Sequence, residues 1–181
     1  MKVSQGDVVR NHMSIELILR KAVIQDLNNV VEIFKSTIRV MDDNGINQWD
    51  NVYPDEEVLR KDILKGQMFL GKIDDRIASV FVLNQEYNEE YKNGNWKYKN
   101  GSFIVVHRLC VNPIFQNQGV GKCSMMLIEK MLKKENIESI RLDAFSLNPV
   151  ALKLYERSGY VRVGKANFRK GLFYLYEKKI Y

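Results

Sequence analysis

One stretch restricts the fold more than any other. "SFIVVHRLCV" (102–111) is apolar almost throughout, so it reads as a strand covered on both faces. "NPIFQNQGVGK" (112–122) follows as a glycine-bearing turn, then "GKCSMMLIEKMLKKE" (121–135) as an amphipathic helix and "SIRLDAF" (139–145) as a second apolar strand. A strand–helix–strand unit joins parallel neighbours by a right-handed crossover. Any fold for this chain must be built around that unit.

The flanking segments do not continue the alternation. "ELILRKA" (16–22) reads as a first strand, and Leu27, Val30, Val31, Phe34 and Ile38 share one face of a helix over 25–40, with Asp26 in its first turn. "MDDNGINQWDNVYP" (41–54) has loop composition, and Asp55 reads as the N-cap of a second helix that Gly66 stops. "QMFLGKI" (67–73), "DD" and "RIASVFVLN" (76–84) read as strand, tight turn and strand, and a polar, aromatic-studded loop follows at 85–101. "NPVALKLYERSG" (148–159) is a short helix with Pro149 at its start and Gly159 at its end, and "YVRVGKAN" and "GLFYLYEKKIY" close the chain as a hairpin. Three successive strands imply an antiparallel meander beside the parallel unit. The expected class is therefore α/β in the mixed (α+β) sense: a mixed central sheet flanked by helices. Residues 1–15 read as a leader or tail, with Met13 a plausible alternative start, and 16–181 as a single domain.

With 181 residues the chain can bury one sizeable core. No apolar run approaches the roughly 18–20 residues that span a bilayer, and the N-terminus lacks the apolar stretch of a secretory signal. A cytoplasmic protein with no membrane partner is expected. The net charge of +6 suits an anionic ligand as well as a nucleic acid, but the basic residues are scattered and no groove-reading motif is present. No nucleic-acid partner is expected. Cys110 and Cys123 form neither a CxxC pair nor a zinc spacing, so no metal and no disulfide are expected.

The glycine stretch admits three phosphate-binding readings. A nucleoside-triphosphate loop fails twice, because Gln116 stands where its first glycine belongs and Cys123 where Ser or Thr belongs. The dinucleotide fingerprint fails at Ser124. What remains is Q-x-x-G-x-G between a strand and a helix. It is either an anion cradle of backbone amides at a helix N-terminus or a turn whose glycines only shape the start of the helix.

Two motifs together resemble those of the GNAT superfamily of acyl-CoA-dependent N-acetyltransferases. "RLCVNPIFQNQGVGK" (108–122) is similar to its L-x-V-x-P strand end with Q/R-x-x-G-x-G/A, and "NPVALKLYERSGY" (148–160) to its N-x-x-A-x-x-x-Y-x-x-x-G-F/Y element. The resemblance implies the GNAT fold, splayed open between its fourth and fifth strands, with acetyl-CoA in the opening. It implies that Gln116, Asn117, Gln118, Gly119, Val120, Gly121 and Lys122 cradle the pyrophosphate. Main-chain groups of Leu109, Cys110 and Val111, and the side chain of Asn148, would meet the pantetheine arm.

Acetyl transfer to an amine needs a neutral nucleophile, a stabilised oxyanion and a proton for the departing thiolate. Reference pKa values of about 10.4 for an alkylamine and 8.5 for a thiol define the proton traffic. Tyr155 matches the family tyrosine and is the expected acid, although its spacing also suits a core aromatic. The N–H of Cys110 or Val111 is the expected oxyanion donor. His107 is a candidate base by its pKa class; a water chain to a carboxylate, or no dedicated base, are the alternatives. Trp49, Tyr53, Tyr91 and Trp96 are expected to wall an acceptor pocket, with Asp42, Asp43 and Asp50 drawing in a cationic amine. The expected activity is direct transfer from acetyl-CoA to a primary amine of a small molecule or peptide. The alternatives are a non-catalytic acyl-CoA-binding module or transfer of a longer acyl group. The aromatic tail "LFYLYEKKIY" reads as closing the sheet, with pairing into a homodimer as the alternative.

Overall fold

The computed structural model describes residues 8–10 and 16–180. Apart from 8–10, the leader and Met13 lie outside the described residues. The strands are β1 (Val8–Arg10), β2 (Glu16–Lys21), β3 (Met68–Ile73), β4 (Arg76–Asn84), β5 (Phe103–Val111), β6 (Ser139–Phe145), β7 (Val161–Phe168) and β8 (Gly171–Lys179). They form one sheet in the order β1-β2-β3-β4-β5-β6-β8-β7. β5 and β6 pair parallel; all other neighbours are antiparallel. This is the expected mixed sheet, with the short pair β1–β2 added at its edge.

Local signals account for the element ends. α1 (Leu27–Asp43) runs three residues past the expected 40, because nothing breaks a helix before Asn44 and Gly45, whose φ is +72°. α2 (Glu56–Leu64) starts at Asp55, whose carboxylate accepts the Val58 N–H at 2.8 Å. Asp74 and Asp75 both have positive φ, the backbone a two-residue hairpin of matching twist requires.

The two faces of the sheet are covered differently. α3 (Val120–Lys134) and α4 (Pro149–Arg157) lie on one face, packing Cys123, Leu127, Ile128 and Tyr155 on Val106, Leu142 and Tyr176. α1 and α2 lie on the other, packing Val30, Phe34 and Leu59 on Met68, Leu70, Val80 and Val82. They do not reach its far strands. There the loop between β4 and β5 takes over, setting Tyr91 and Trp96 on Val105, Ala166 and Leu175.

The feature that creates a site is the point where the sheet opens. Parallel pairing of β5 and β6 runs from Phe103↔Ser139 to Val106↔Leu142 and stops. Beyond it, Asp143–Phe145 pair only with β8, and His107–Val111 only with β4. The β4–β5 register also slips, Val80 opposing Cys110 and Val82 opposing His107, so β5 carries one extra residue there. Arg108 takes a φ of +53° within that bulge. A bulge bends its strand and raises its twist, which turns the end of β5 away from β6.

The far loop is fastened tightly. Asn95 N–H donates to the Val163 carbonyl at 2.7 Å, and Lys97 N–H to Glu177 Oε2 at 2.8 Å. Gly164 permits this approach: a Cβ there would stand 2.8 Å from the Asn93 carbonyl oxygen and 3.0 Å from Gly94 Cα. Both are backbone atoms that cannot swing aside. Gly164→Val is therefore expected to lift the loop from β7. Hydrogen exchange should show faster exchange at the Asn95 amide while the α3 amides keep their protection; unchanged Asn95 exchange would contradict this packing account.

Candidate active site

The opening between β5 and β6 continues into a cleft of about 1580 Å³ that passes between α1, α2, α3 and α4. Among the described residues no helix is long and apolar enough to cross a membrane, and no group of His, Cys, Asp or Glu is arranged to hold a metal.

At one end lies the glycine stretch. Asn117 (φ +60°) and Gly119 (φ +82°) reverse the chain into α3. The first turn closes with Cys123 N–H on the Gly119 carbonyl, at 3.0 Å. The N–H groups of Val120, Gly121 and Lys122 precede that bond and carry the positive end of the helix. The two glycines do different work. Gly119 supplies the left-handed backbone. Gly121 lets α3 approach its neighbours, since a Cβ there would meet Leu154 Cδ2 at 3.3 Å and Val111 Cγ2 at 3.6 Å. Gln116, Asn117, Gly119, Val120, Gly121 and Lys122 all line the cleft; Gln118 does not, and donates to the Ile114 carbonyl instead. Beside the cradle a second groove, of about 480 Å³, is bordered by Lys122, Lys153 and Arg157. Lys153 and Arg157 stand one turn apart on α4, a spacing readable in the sequence but not used above.

Along the opened edge, Asn112 N–H donates to the Ala78 carbonyl on β4 at 2.9 Å. Alternation then directs Cys110 toward β4 and Val111, like Leu109, toward the opening. Of the two oxyanion donors expected, the Val111 N–H therefore faces the opening and the Cys110 N–H faces β4. The Cys110 side chain packs against α1, its sulfur 3.2 Å from Thr37 Oγ1. Complete burial pushes its thiol up to about 12.

Asn148 lines the cleft, but both ends of its amide are engaged. Oδ1 caps α4 by accepting Ala151 N–H at 3.0 Å, and Nδ2 donates to Gln48 Oε1 at 2.8 Å. Its side chain thus ties α4 to the α1–α2 loop, leaving one N–H and one lone pair of the amide uncommitted. Tyr155 lies on α4 against the rings of Tyr160 and Tyr176. It lines the cleft, and its hydroxyl makes no hydrogen bond to a described residue. Burial raises it above the ordinary tyrosine range, so the phenol stays protonated.

The opposite side of the sheet holds the other candidates. His107 lines the cleft with Nε2 2.9 Å from Asn84 Oδ1. Burial first, and Arg108 second, lower it to about 4, so the ring is neutral at physiological pH and a weak proton acceptor. Arg108 Nη2 lies 2.8 and 2.7 Å from the two Asp62 oxygens, and its Nη1 donates to the Tyr53 hydroxyl. Trp49 and Tyr53 line the cleft, Trp49 being anchored on Phe34 with ring centroids 5.2 Å apart. Trp96 does not line it. Its indole N–H donates to the Tyr91 carbonyl at 2.7 Å and its ring covers Arg141, which makes it an anchor of the far loop. Nor do the acidic residues form a cation funnel. Asp42 and Asp43 are exposed at the end of α1, and Asp50 is held by Arg169 and Lys170 at 2.8–3.1 Å. Arg169 leads the causes that hold the Asp50 carboxyl far below its usual range.

The residue that sequence reasoning missed is Asp143. Leu142 and Ala144 point into the α3–α4 core, so Asp143 points to the other face, one residue past the last β5–β6 pair. It lines the cleft and accepts the Tyr91 hydroxyl at 2.7 Å. Burial raises its carboxyl; the Tyr91 hydrogen bond and the Arg108 charge act in the opposite direction. The available signal was a carboxylate inside the apolar run "SIRLDAF".

The cysteines give a direct check of this geometry. Cys110 and Cys123 are both buried, and Cys110 is a thiol at any ordinary pH. Neither should be alkylated by iodoacetamide at pH 8 in the native protein, and both should be labelled after denaturation, as read by intact-mass spectrometry. Rapid native labelling of Cys110 would refute its placement.

Comparison with known proteins agrees with this architecture. The family model of an acetyltransferase (GNAT) domain matches residues 37–179. An uncharacterized N-acetyltransferase of Bacillus subtilis, YesJ, is 26% identical over 161 residues, which cover 88% of both chains. A spermidine N(1)-acetyltransferase of Thermoplasma acidophilum is 25% identical over 177 residues, covering 92% of this chain and 98% of the relative. Among solved structures, a PaiA N-acetyltransferase of Thermoplasma acidophilum in complex with coenzyme A superposes with a TM-score of 0.67 at 20% identity, covering 90% of this chain and 98% of that one.

Proposed function

Because this chain belongs to the GNAT family of acetyltransferases, we propose that it moves an acetyl group from acetyl-CoA to a primary amine of a small molecule or peptide by direct attack in a ternary complex. One observation carries the reading. The sheet opens at Val106 and Leu142 between a free phenol on one face, Tyr155, and a buried carboxylate on the other, Asp143. The coenzyme A complex of a structural relative and the spermidine acceptor named for a sequence relative support the two substrate classes.

The roles follow from position. Backbone amides of 119–122 and the helix end take the pyrophosphate, and Lys122, Lys153 and Arg157 take the remaining phosphate charge. The main-chain groups of Leu109 and Val111 on the opened edge of β5 meet the pantetheine arm as an adjacent strand would. The acceptor comes from the α1–α2 side, past Trp49 and Tyr53. Its nitrogen attacks the thioester carbonyl, a main-chain N–H of the opened edge holds the oxyanion, and the C–N bond forms as the C–S bond breaks. Asp143 receives the amine proton; its elevated pKa narrows the gap to the amine. Tyr155 presents its O–H to the departing sulfur. His107 is too weak a base for the task and serves as a neutral wall of the pocket. Direct attack, without an acyl-enzyme, fits a Cys110 that burial keeps in its un-nucleophilic form.

The decisive experiment is a mass-spectrometric screen of amines with acetyl-CoA, followed by kinetics of Asp143→Asn and Tyr155→Phe on the acceptor found. Each substitution is expected to lower kcat by roughly 100-fold with the Kd for acetyl-CoA unchanged. Tight acetyl-CoA binding with no turnover across a broad panel would instead favour a sensing module. Full activity of Tyr155→Phe would remove its role.

A further inference from the structure

Resting on the reading of Asp143 as proton acceptor, we propose that Tyr91 is a positioning residue for that carboxylate, and that the loop between β4 and β5 is the frame that delivers it. The sequence shows this loop only as polar and aromatic-rich. The structure shows a rigid bracket with one functional end.

Tyr91 is 3% exposed, yet it lines the cleft. Its ring is stacked between Tyr87 and Trp96, at centroid distances of 5.7 and 5.5 Å. Trp96 grips the Tyr91 carbonyl through its indole N–H and rests on Arg141, whose guanidinium lies 4.5 Å from the Trp96 ring and 3.8 Å from the Phe103 ring. Arg141 in turn donates to the Tyr98 carbonyl at 3.0 Å and pairs with Glu177 at 3.4 Å, and Glu177 also receives the Lys97 N–H. Glu177 and Arg141 are almost fully buried, with side chains 2% and 7% exposed. Neither of these two lines the cleft. Their two charges are spent on holding the loop.

What that investment delivers to the cleft is one hydroxyl, donated to Asp143 Oδ2. Asp143 Oδ1 receives no hydrogen bond from another described residue, so the carboxylate is clamped by one oxygen and presents the other. The clamp fixes the orientation of Asp143 and favours its ionised form in a site where burial opposes ionisation. The groups that act on Asp143 from the elements around it are Tyr91 from the loop, Tyr155 from α4 and Arg108 from β5; His107 of β5 lines the same cleft. From β8, Glu177 stands two positions along and is committed to Arg141.

The test is the pH profile of kcat/KM for Tyr91→Phe, Trp96→Phe and Asp143→Asn beside the parent enzyme. Tyr91→Phe keeps the ring stack and removes only the donor. Without that donor the Asp143 carboxylate is less stabilised, so its pKa rises and the acid limb of the profile moves to higher pH. The rate at neutral pH should fall about tenfold, the worth of one hydrogen bond to a charged group, with acetyl-CoA affinity unchanged. Trp96→Phe loosens the bracket behind Tyr91 and should shift the limb in the same direction by less. It also carries the test if Tyr91→Phe fails to fold. An unmoved acid limb and a parental rate in both variants, with Asp143→Asn inactive, would overturn the proposal and leave Asp143 its role. A fully active Asp143→Asn would instead overturn the reading on which it rests.

Discussion

The end of one strand pairing governs the molecule. β5 and β6 share backbone hydrogen bonds as far as Val106 and Leu142, then part. Main-chain groups along a buried edge cannot be left without partners at low cost, so a sheet that opens in its centre is stable only if something else satisfies the freed edge. Gln116 does part of this by donating to the Val111 carbonyl at 3.2 Å. In the proposed function, the arm of a cosubstrate lying along β5 would do the rest. The bulge at Arg108 is what makes the parting permanent: its left-handed backbone sets the bend, and the buried pair with Asp62 ties the bent strand to α2.

Around that opening the protein separates two kinds of chemistry by face. The α3–α4 side offers backbone amides, a helix end, exposed basic groups and a phenol, all suited to a polyanion ending in a thioester. The other side offers aromatic walls and a neutralised set of charges, Arg108 against Asp62 and Arg169 with Lys170 against Asp50. Asp143, on the same side, is bonded instead to the neutral Tyr91 hydroxyl. The α1–α2 loop is drawn over the cleft by the bond from Asn148 to Gln48 and by the Asp50 pairs, so this loop bridges the two halves. Asn148, expected from its motif to contact pantetheine, also caps α4 and bridges to Gln48.

The succession of elements from residue 16, the meander, the two motif-bearing turns and the helix that carries Tyr155 were legible in the sequence, because each rests on local periodicity or on short-range turn chemistry. The end of α1 was misjudged by three residues for the same reason: acidic residues look like loop, yet nothing in them stops a helix. The errors of assignment share a different cause. His107, Trp96 and Asp50 were judged by residue type, and each has its chemistry set by a partner distant in sequence. Asn84 and burial hold His107; Arg141 and the Tyr91 carbonyl hold Trp96; Arg169 and Lys170 hold Asp50.

By itself the sequence determined that a parallel strand–helix–strand unit would carry a glycine-lined helix N-terminus beside a short helix bearing a tyrosine. Hydrophobic spacing and backbone preferences act within a few residues and are written in order along the chain. Only the tertiary structure decided that Asp143, inside an apolar strand, stands one residue past the parting of the sheet with Tyr91 bonded to it from 52 positions away. Which carboxylate is desolvated, and which hydroxyl answers it, depends on strands and loops meeting in space, and no local pattern records that meeting.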